Sequence, residues 1–248
     1  MNLYLLVEGK VTEMVIYSRW IPYLLPGMRK VDRLSDVRHN NFYMFSGYGY
    51  PSIIHRMANS ISDINRHGNI DYLIVCLDAE EDTIDHRYRT VMERLDNLNY
   101  KLTERTKVKV IVHNHCIETW FLGNREMELY PSEVNSRKLR RMITDYNVFH
   151  DDPEEMPANP EIEECSTIAQ YHYSYLKHLF NEHHLPYTKR NPGRTSNRNY
   201  LRALIDRYDD TGDIKSFGFF IKFCNQLRNE MKREARDKKR RERISGKN

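Results

Sequence analysis

Three acids stand where chemistry could be done: Glu8 in "NLYLLVEGKVTE", and Asp78 and Glu80 in "IDYLIVCLDAEED". Each follows an apolar run that reads as a buried strand, and a helix-like pattern begins soon after. Strand tips that face helix starts are where α/β folds bind ligands. In a parallel sheet such tips share one rim, and neighbouring strands lie about 4.8 Å apart. Glu8 is then expected beside Asp78. Carboxylates on a dry rim repel one another and cost energy to desolvate. A hard divalent cation relieves both costs. Mg²⁺, with Mn²⁺ as its substitute, takes one or two carboxylates, keeps waters and accepts phosphate oxygens. Asp78, Glu80, Glu81 and Asp82 put four acids within five residues, so Asp82 joins the candidate ligands. Helix capping or a solvated turn explains any one of these acids alone better than it explains the set.

Other residues could serve the same rim. Lys10 lies next to Glu8 and could hold a phosphate as a point charge. Glu118 opens a helix after a later strand, where it could orient a metal water or simply favour the helix dipole. Lys189, Arg190, Arg194, Arg198 and Arg202 form a basic, Asn-rich loop and helix start, and phosphate contacts are the usual use of such a stretch. The literal "HNH" at 113–115 lacks the widely spaced histidines of a metal-finger nuclease and reads as coincidence; His113 or His115 could still sit near the rim, though an ordinary strand-end histidine explains them more simply. Trp120 reads as core.

The elements that must position these residues follow from hydrophobic period. Strands are expected at 2–8, 41–46, 71–78 and 107–113. Helices are expected at 12–25, 51–67 and 83–100, with a short one in "IETWFLGN". This alternation implies an α/β fold with a mostly parallel sheet flanked by helices. Residues 1–125 are expected to form that domain, and 126–248 a mainly helical region with helices at 166–185, 198–209 and 214–243. Residues 150–164 carry seven acids and three prolines and read as a solvated linker. The formal net charge of +4 hides an asymmetry, because residues 228–248 hold ten Lys or Arg against four Asp or Glu. That basic tail has few apolar residues after Met231 and is expected as an exposed helix that could meet nucleic acid or an acidic partner. No apolar run is long enough for a membrane span, no leader pattern is evident, and four widely spaced cysteines fit a reducing cytoplasm.

The pattern of "LLVEGKVTE", a helix, and a strand ending "LDAEED" resembles the Toprim domain. That domain is shared by topoisomerases, bacterial primases and nucleases related to the overcoming-lysogenization-defect proteins. Glu8 matches the signature Glu of the first strand. Asp78 and Glu80 match the Asp-x-Asp of the later strand, with Glu in place of the last Asp. The resemblance implies that Glu13 supports a second ion and that a distant lysine reaches the metal centre, for which Lys215 is the candidate. With "NHCIETWFLGN", the chain looks most like the small Toprim effectors of PARIS-type anti-phage defence, which are encoded beside an ABC- or SMC-like ATPase. The implied activity is metal-dependent endonuclease action on DNA or RNA, tRNA included, by a toxic effector held in check by that ATPase. Self-association is also open. Two rivals stand beside it: a non-catalytic interaction module with a degenerate metal site, and nucleotidyl transfer, which would need template- and zinc-binding parts this chain lacks.

Overall fold

The computed structural model describes residues 1–99 and 101–245, with side chains described through residue 242. Its elements run β1 (Asn2–Val7), α1 (Thr12–Leu24), β2 (Arg29–Val31), β3 (Asn41–Ser46), α2 (Ser52–His67), β4 (Tyr72–Asp78), α3 (Ile84–Asp96), β5 (Lys107–His113) and α4 (Ile117–Leu122). Then follow α5 (Arg137–Asp145), α6 (Ile168–Glu182), α7 (Arg198–Thr211) and α8 (Lys215–Ser245). The described strands make one all-parallel sheet in the order β2-β3-β1-β4-β5. The four expected strands are present within a residue or so, and β2 adds a fifth at one edge. The last residue of the expected helix 83–100 and the final three residues of the basic tail lie outside the described residues.

The sheet is buried on both faces, as parallel sheets require. Side chains alternate along each strand, so Leu3, Leu5 and Val7 of β1 enter one core while Tyr4 and Leu6 enter the other. The smaller core is closed by Ile53, Met57, Ile61 and Ile64 of α2 with Val91 and Leu95 of α3. The larger is closed by α1 and by helices from the second half of the chain. There Trp120 packs on Phe217 and Phe220 of α8, with ring centroids 5.3 and 5.8 Å away. One apolar cluster therefore runs across the expected boundary at residue 125.

The acidic stretch 150–164 is largely a surface loop, as expected, but it is not solvated throughout. Glu154 and Met156 are buried. The Glu154 carboxylate accepts from Ser216 N–H at 3.0 Å and from its hydroxyl, and Asp152 Oδ1 accepts from Ile214 N–H at 3.0 Å. These acids satisfy the orphan amides at the start of α8. The basic tail continues α8, exposed from Lys232 to Glu242, and Glu234 meets the chain's amino terminus at 3.2 Å. Among the described residues no helix is long and apolar enough to cross a membrane.

Arg207 locks this half of the fold. It is 2% exposed. Its Nε and Nη2 donate to Asp213 Oδ2 at 3.1 and 2.8 Å, and it also donates to the carbonyls of Val148 and Asp151. Arg207→Ala should cost about 3–5 kcal/mol, because Asp213 and two carbonyls lose their donor. Urea denaturation measures that cost, and a loss below about 1 kcal/mol would show that the network is incidental.

Candidate active site

The carboxyl ends of β1, β3, β4 and β5 open into one cleft of about 410 Å³, lined by Glu8, Lys10, Glu13, Asp78, Glu80 and Glu118, and also by Lys189 and Arg190. The chain leaves β3 and crosses over β1 to β4, so the cleft sits where the strand order switches direction. Glu8 lies beside Asp78, as expected. Its Oε2 accepts from Asp78 N–H at 3.0 Å and its Oε1 from Tyr50 N–H at 3.1 Å. One carboxylate thus fastens the tip of β4 and the turn after β3 to the end of β1.

Glu13, in the first turn of α1, folds back so that Oε1 accepts from Gly9 N–H at 2.9 Å. Glycine at position 9 makes room for this bond, since a Cβ there would lie 2.0 Å from Glu13 Oε2 and displace the carboxylate. Gly9→Ala should expel the Glu13 carboxylate and cost about 1 kcal/mol for the lost bond. It should also weaken any cation held in the cleft. Urea melts and Mg²⁺ titration calorimetry read the two effects, and unchanged values in both would show that Glu13 is free to move.

Asp78 Oδ1 lies 2.6 Å from His113 Nδ1, and His113 Nε2 lies 2.7 Å from the Tyr17 hydroxyl. The sheet register places Asp78 directly opposite His113. Burial lowers the His113 pKa to about 4, so the ring is neutral. When Asp78 is a carboxylate, His113 donates from Nδ1 and accepts the Tyr17 hydroxyl at Nε2, which fixes tautomer and carboxylate orientation together. Burial raises Asp78 to about 8, with repulsion from Glu118 adding to it. Burial also raises Glu8 and Glu13 to about 7, with repulsion from Asp78 adding to both.

Glu118 is 1% exposed, and its Oε1 accepts from the Tyr187 hydroxyl at 3.0 Å. Its Oε2 is buried without a hydrogen-bond partner, and the Lys189 ammonium stands 4.0 Å away. Attraction to Glu118 holds Lys189 well above the usual lysine range. The loop that carries this lysine is pinned by Thr12, whose hydroxyl donates to Lys189 O at 2.7 Å, and by Trp20 Nε1, which donates to Thr195 O at 3.2 Å.

These oxygen donors fit a hard divalent cation in kind. They are carboxylates, they repel one another, and one buried oxygen lacks a partner. They are not a preassembled ligand set: among the described residues no group of three or more His, Cys, Asp or Glu stands ready to hold an ion. Glu8 and Glu13 are turned toward backbone amides instead. Glu80 is exposed on the rim, with φ +54.

Several expected residues lie elsewhere. Asp82 turns from the cleft to Arg87, at 2.8 Å, because that 3%-exposed guanidinium needs a counter-charge. Lys215 opens α8 at a separate apolar groove with Ile84, Tyr88 and Phe219; the distant lysine that does reach the cleft is Lys189. Of the basic set, Lys189 and Arg190 line the cleft and Arg194 lines an adjoining groove with Arg19 and Arg190. Arg198 lies over the Tyr23 ring, and Arg202 pairs with Asp206 on the exposed face of α7. Tyr17 and Tyr187 were not anticipated as site residues, whereas His113 was open as a neighbour of the rim and does reach Asp78. For His113 the signal was present, a histidine ending the strand expected beside Asp78. No family model, no curated protein and no solved structure matches the chain.

Proposed function

We propose that this chain is a divalent-cation-dependent phosphodiesterase, a Toprim-like endonuclease that cuts DNA or RNA. One observation carries the reading. Buried Glu8 and Glu13 and partly buried Asp78, which repels both, are held where β1 and β4 end and α1 begins, in a solvent-open cleft that Lys189 and Arg190 also line. A fold keeps such a costly arrangement where chemistry needs it. Glu8, Asp78 and Glu80 would hold Mg²⁺ or Mn²⁺, with Glu13 and Glu118 close by. When bound, such an ion lowers the pKa of water and offsets charge on phosphate oxygens.

The chain's own residues do the rest. His113 and Tyr17 orient Asp78. Lys189 and Lys10 offer ammonium charges to the phosphate. Arg190 holds the neighbouring backbone without reading sequence. The resemblance to defence effectors extends the proposal: a nuclease of this kind poisons its own cell, so an ATPase partner would restrain it until infection.

A second reading, a binding module with a degenerate site, is favoured by one feature. Glu8 and Glu13 already have backbone donors, and among the described residues no ligand set stands ready. Incubating the purified chain, with and without its genomic neighbour, with supercoiled plasmid and total RNA separates the two. The nuclease cuts at least one substrate at millimolar Mg²⁺ or Mn²⁺ and stops in EDTA. The module cuts neither and binds no ion in calorimetry.

A further inference from the structure

We propose that Tyr48 and Tyr50 form a base-stacking rim on this cleft, so that the strand it receives is unpaired. The inference rests on reading the cleft as a nucleic-acid site and goes on to name the form of the substrate. The turn after β3, "SGYGYP", is bolted to the acids. Tyr50 N–H donates to Glu8 Oε1 at 3.1 Å, Gly49 N–H to Glu8 O at 2.9 Å, and Ser46 Oγ to Gly9 O at 3.0 Å. Whatever the turn displays is therefore fixed relative to Glu8.

It displays two aromatic rings, Tyr48 in the cleft lining and Tyr50 two residues on, where its N–H meets Glu8. Tyr48 is 52% exposed and Tyr50 40% exposed. Tyr48 also sits at φ +65 between Gly47 and Gly49, in a left-handed region where a bulky side chain is strained. No core demands a ring at that position, and glycine would sit there more easily. The rings are built in, not loose. Beneath Tyr50, Arg87 lies 3.9 Å from the ring centroid and is itself buried, donating to Ala79 O at 3.0 Å and pairing with Asp82. This arginine ties the two rim loops together and backs one face of the Tyr50 ring. Tyr48 carries Lys10 and Arg56, 4.7 and 4.4 Å from its centroid. Lys10 is exposed, so a base can displace it toward the phosphate.

Lys189 and Arg190 face the acids, and the Arg19–Arg190–Arg194 groove continues from them. Cationic groups and aromatic faces lining one cleft match a strand that offers both phosphates and bare bases. A duplex hides the faces of its bases, and stacking on side chains is available only to unpaired ones.

Fluorescence anisotropy tests this with a labelled twelve-nucleotide strand, its duplex, and a strand of abasic residues, in Ca²⁺ to slow turnover. The wild type should bind the strand at least about tenfold more tightly than the duplex. Tyr48→Ala and Tyr50→Ala should each weaken strand binding about tenfold while leaving duplex and abasic binding unchanged, and Tyr48→Phe should retain the affinity. Both rings are half exposed, so thermal melts should stay at the wild-type value and exclude misfolding. Strand affinity unchanged in both alanine variants, or an equal loss on strand and duplex, overturns the rim. Tyrosine-dependent strand binding by a protein that cuts nothing upholds the rim and removes the hydrolytic reading. Cutting by alanine variants with wild-type affinity and rate removes the rim alone.

Discussion

Asp78→Asn should yield a chain that unfolds at higher denaturant than the parent and no longer cuts. The substitution removes a charge and almost no volume. Asparagine Oδ1 can still accept His113 Nδ1–H, so the Asp78–His113–Tyr17 chain survives. Repulsion from Glu118 and Glu80 disappears, along with the cost of burying a charge. In EDTA at pH 8 the gain should be about 1–2 kcal/mol, the usual scale for relieving a functional site. Turnover should fall by about 10²–10³-fold, since a charged group aimed at the reacting centre is lost. Glu8→Gln should lose turnover similarly but gain less stability, because the amide nitrogen meets a backbone N–H where a carboxylate oxygen had accepted one. Opposite movement of stability and activity is the signature of a site held against its own preference. An Asp78→Asn variant that is less stable and still active would make the rim a structural joint.

The parts of this site that could be read from sequence are those encoded by local period. β1 and β4 are continuous apolar runs because both are buried on both faces, so their ends, and the meeting of Glu8 with Asp78, were visible. β2 is three largely exposed edge residues, Arg29–Val31, with no alternation to detect. α5 did carry a signal, since Leu139, Met142 and Ile143 share one face, but the surrounding arginines and lysine masked it. Lys189 had no local signal as a cleft residue. It arrives because a distant loop is tied to Thr12 and Trp20, and no spacing in the chain records such a return. The acids of 150–164 misled for a related reason: composition announces charge but not the helix start that consumes it.

The metal-free chain should be more stable at pH 5.5 than at pH 8, by about 1–3 kcal/mol, a margin set by the small net stability of a domain. Glu8, Glu13 and Glu154 have pKa values raised to about 7, and Asp78 to about 8. A raised carboxylate contributes stability that is fully present below its unfolded pKa and lost as pH rises through the folded one. These four groups therefore lose stability across the window from about 4 to 8. His113 and His172 work the other way, being lowered by burial to about 4 and about 3. Their contribution is present above about 6.5 and lost as pH falls below that. Between pH 8 and 6.5 the carboxylates act almost alone, so stability should rise on acidification. Below that the two histidines oppose the four carboxylates and flatten the rise, and the balance is reached only near pH 4, where the unfolded carboxylates protonate as well. Saturating Mg²⁺ should reverse the upper limb, because an ion held by the ionised acids stabilises the chain only where they are ionised. Urea midpoints at pH 5.5 and 8, with EDTA and with Mg²⁺, give four values. The expected pattern is a large Mg²⁺ gain at pH 8 and almost none at pH 5.5. An equal gain at both would mean that the ion is not held by these carboxylates, and a flat EDTA profile would mean that they are not buried together as charges.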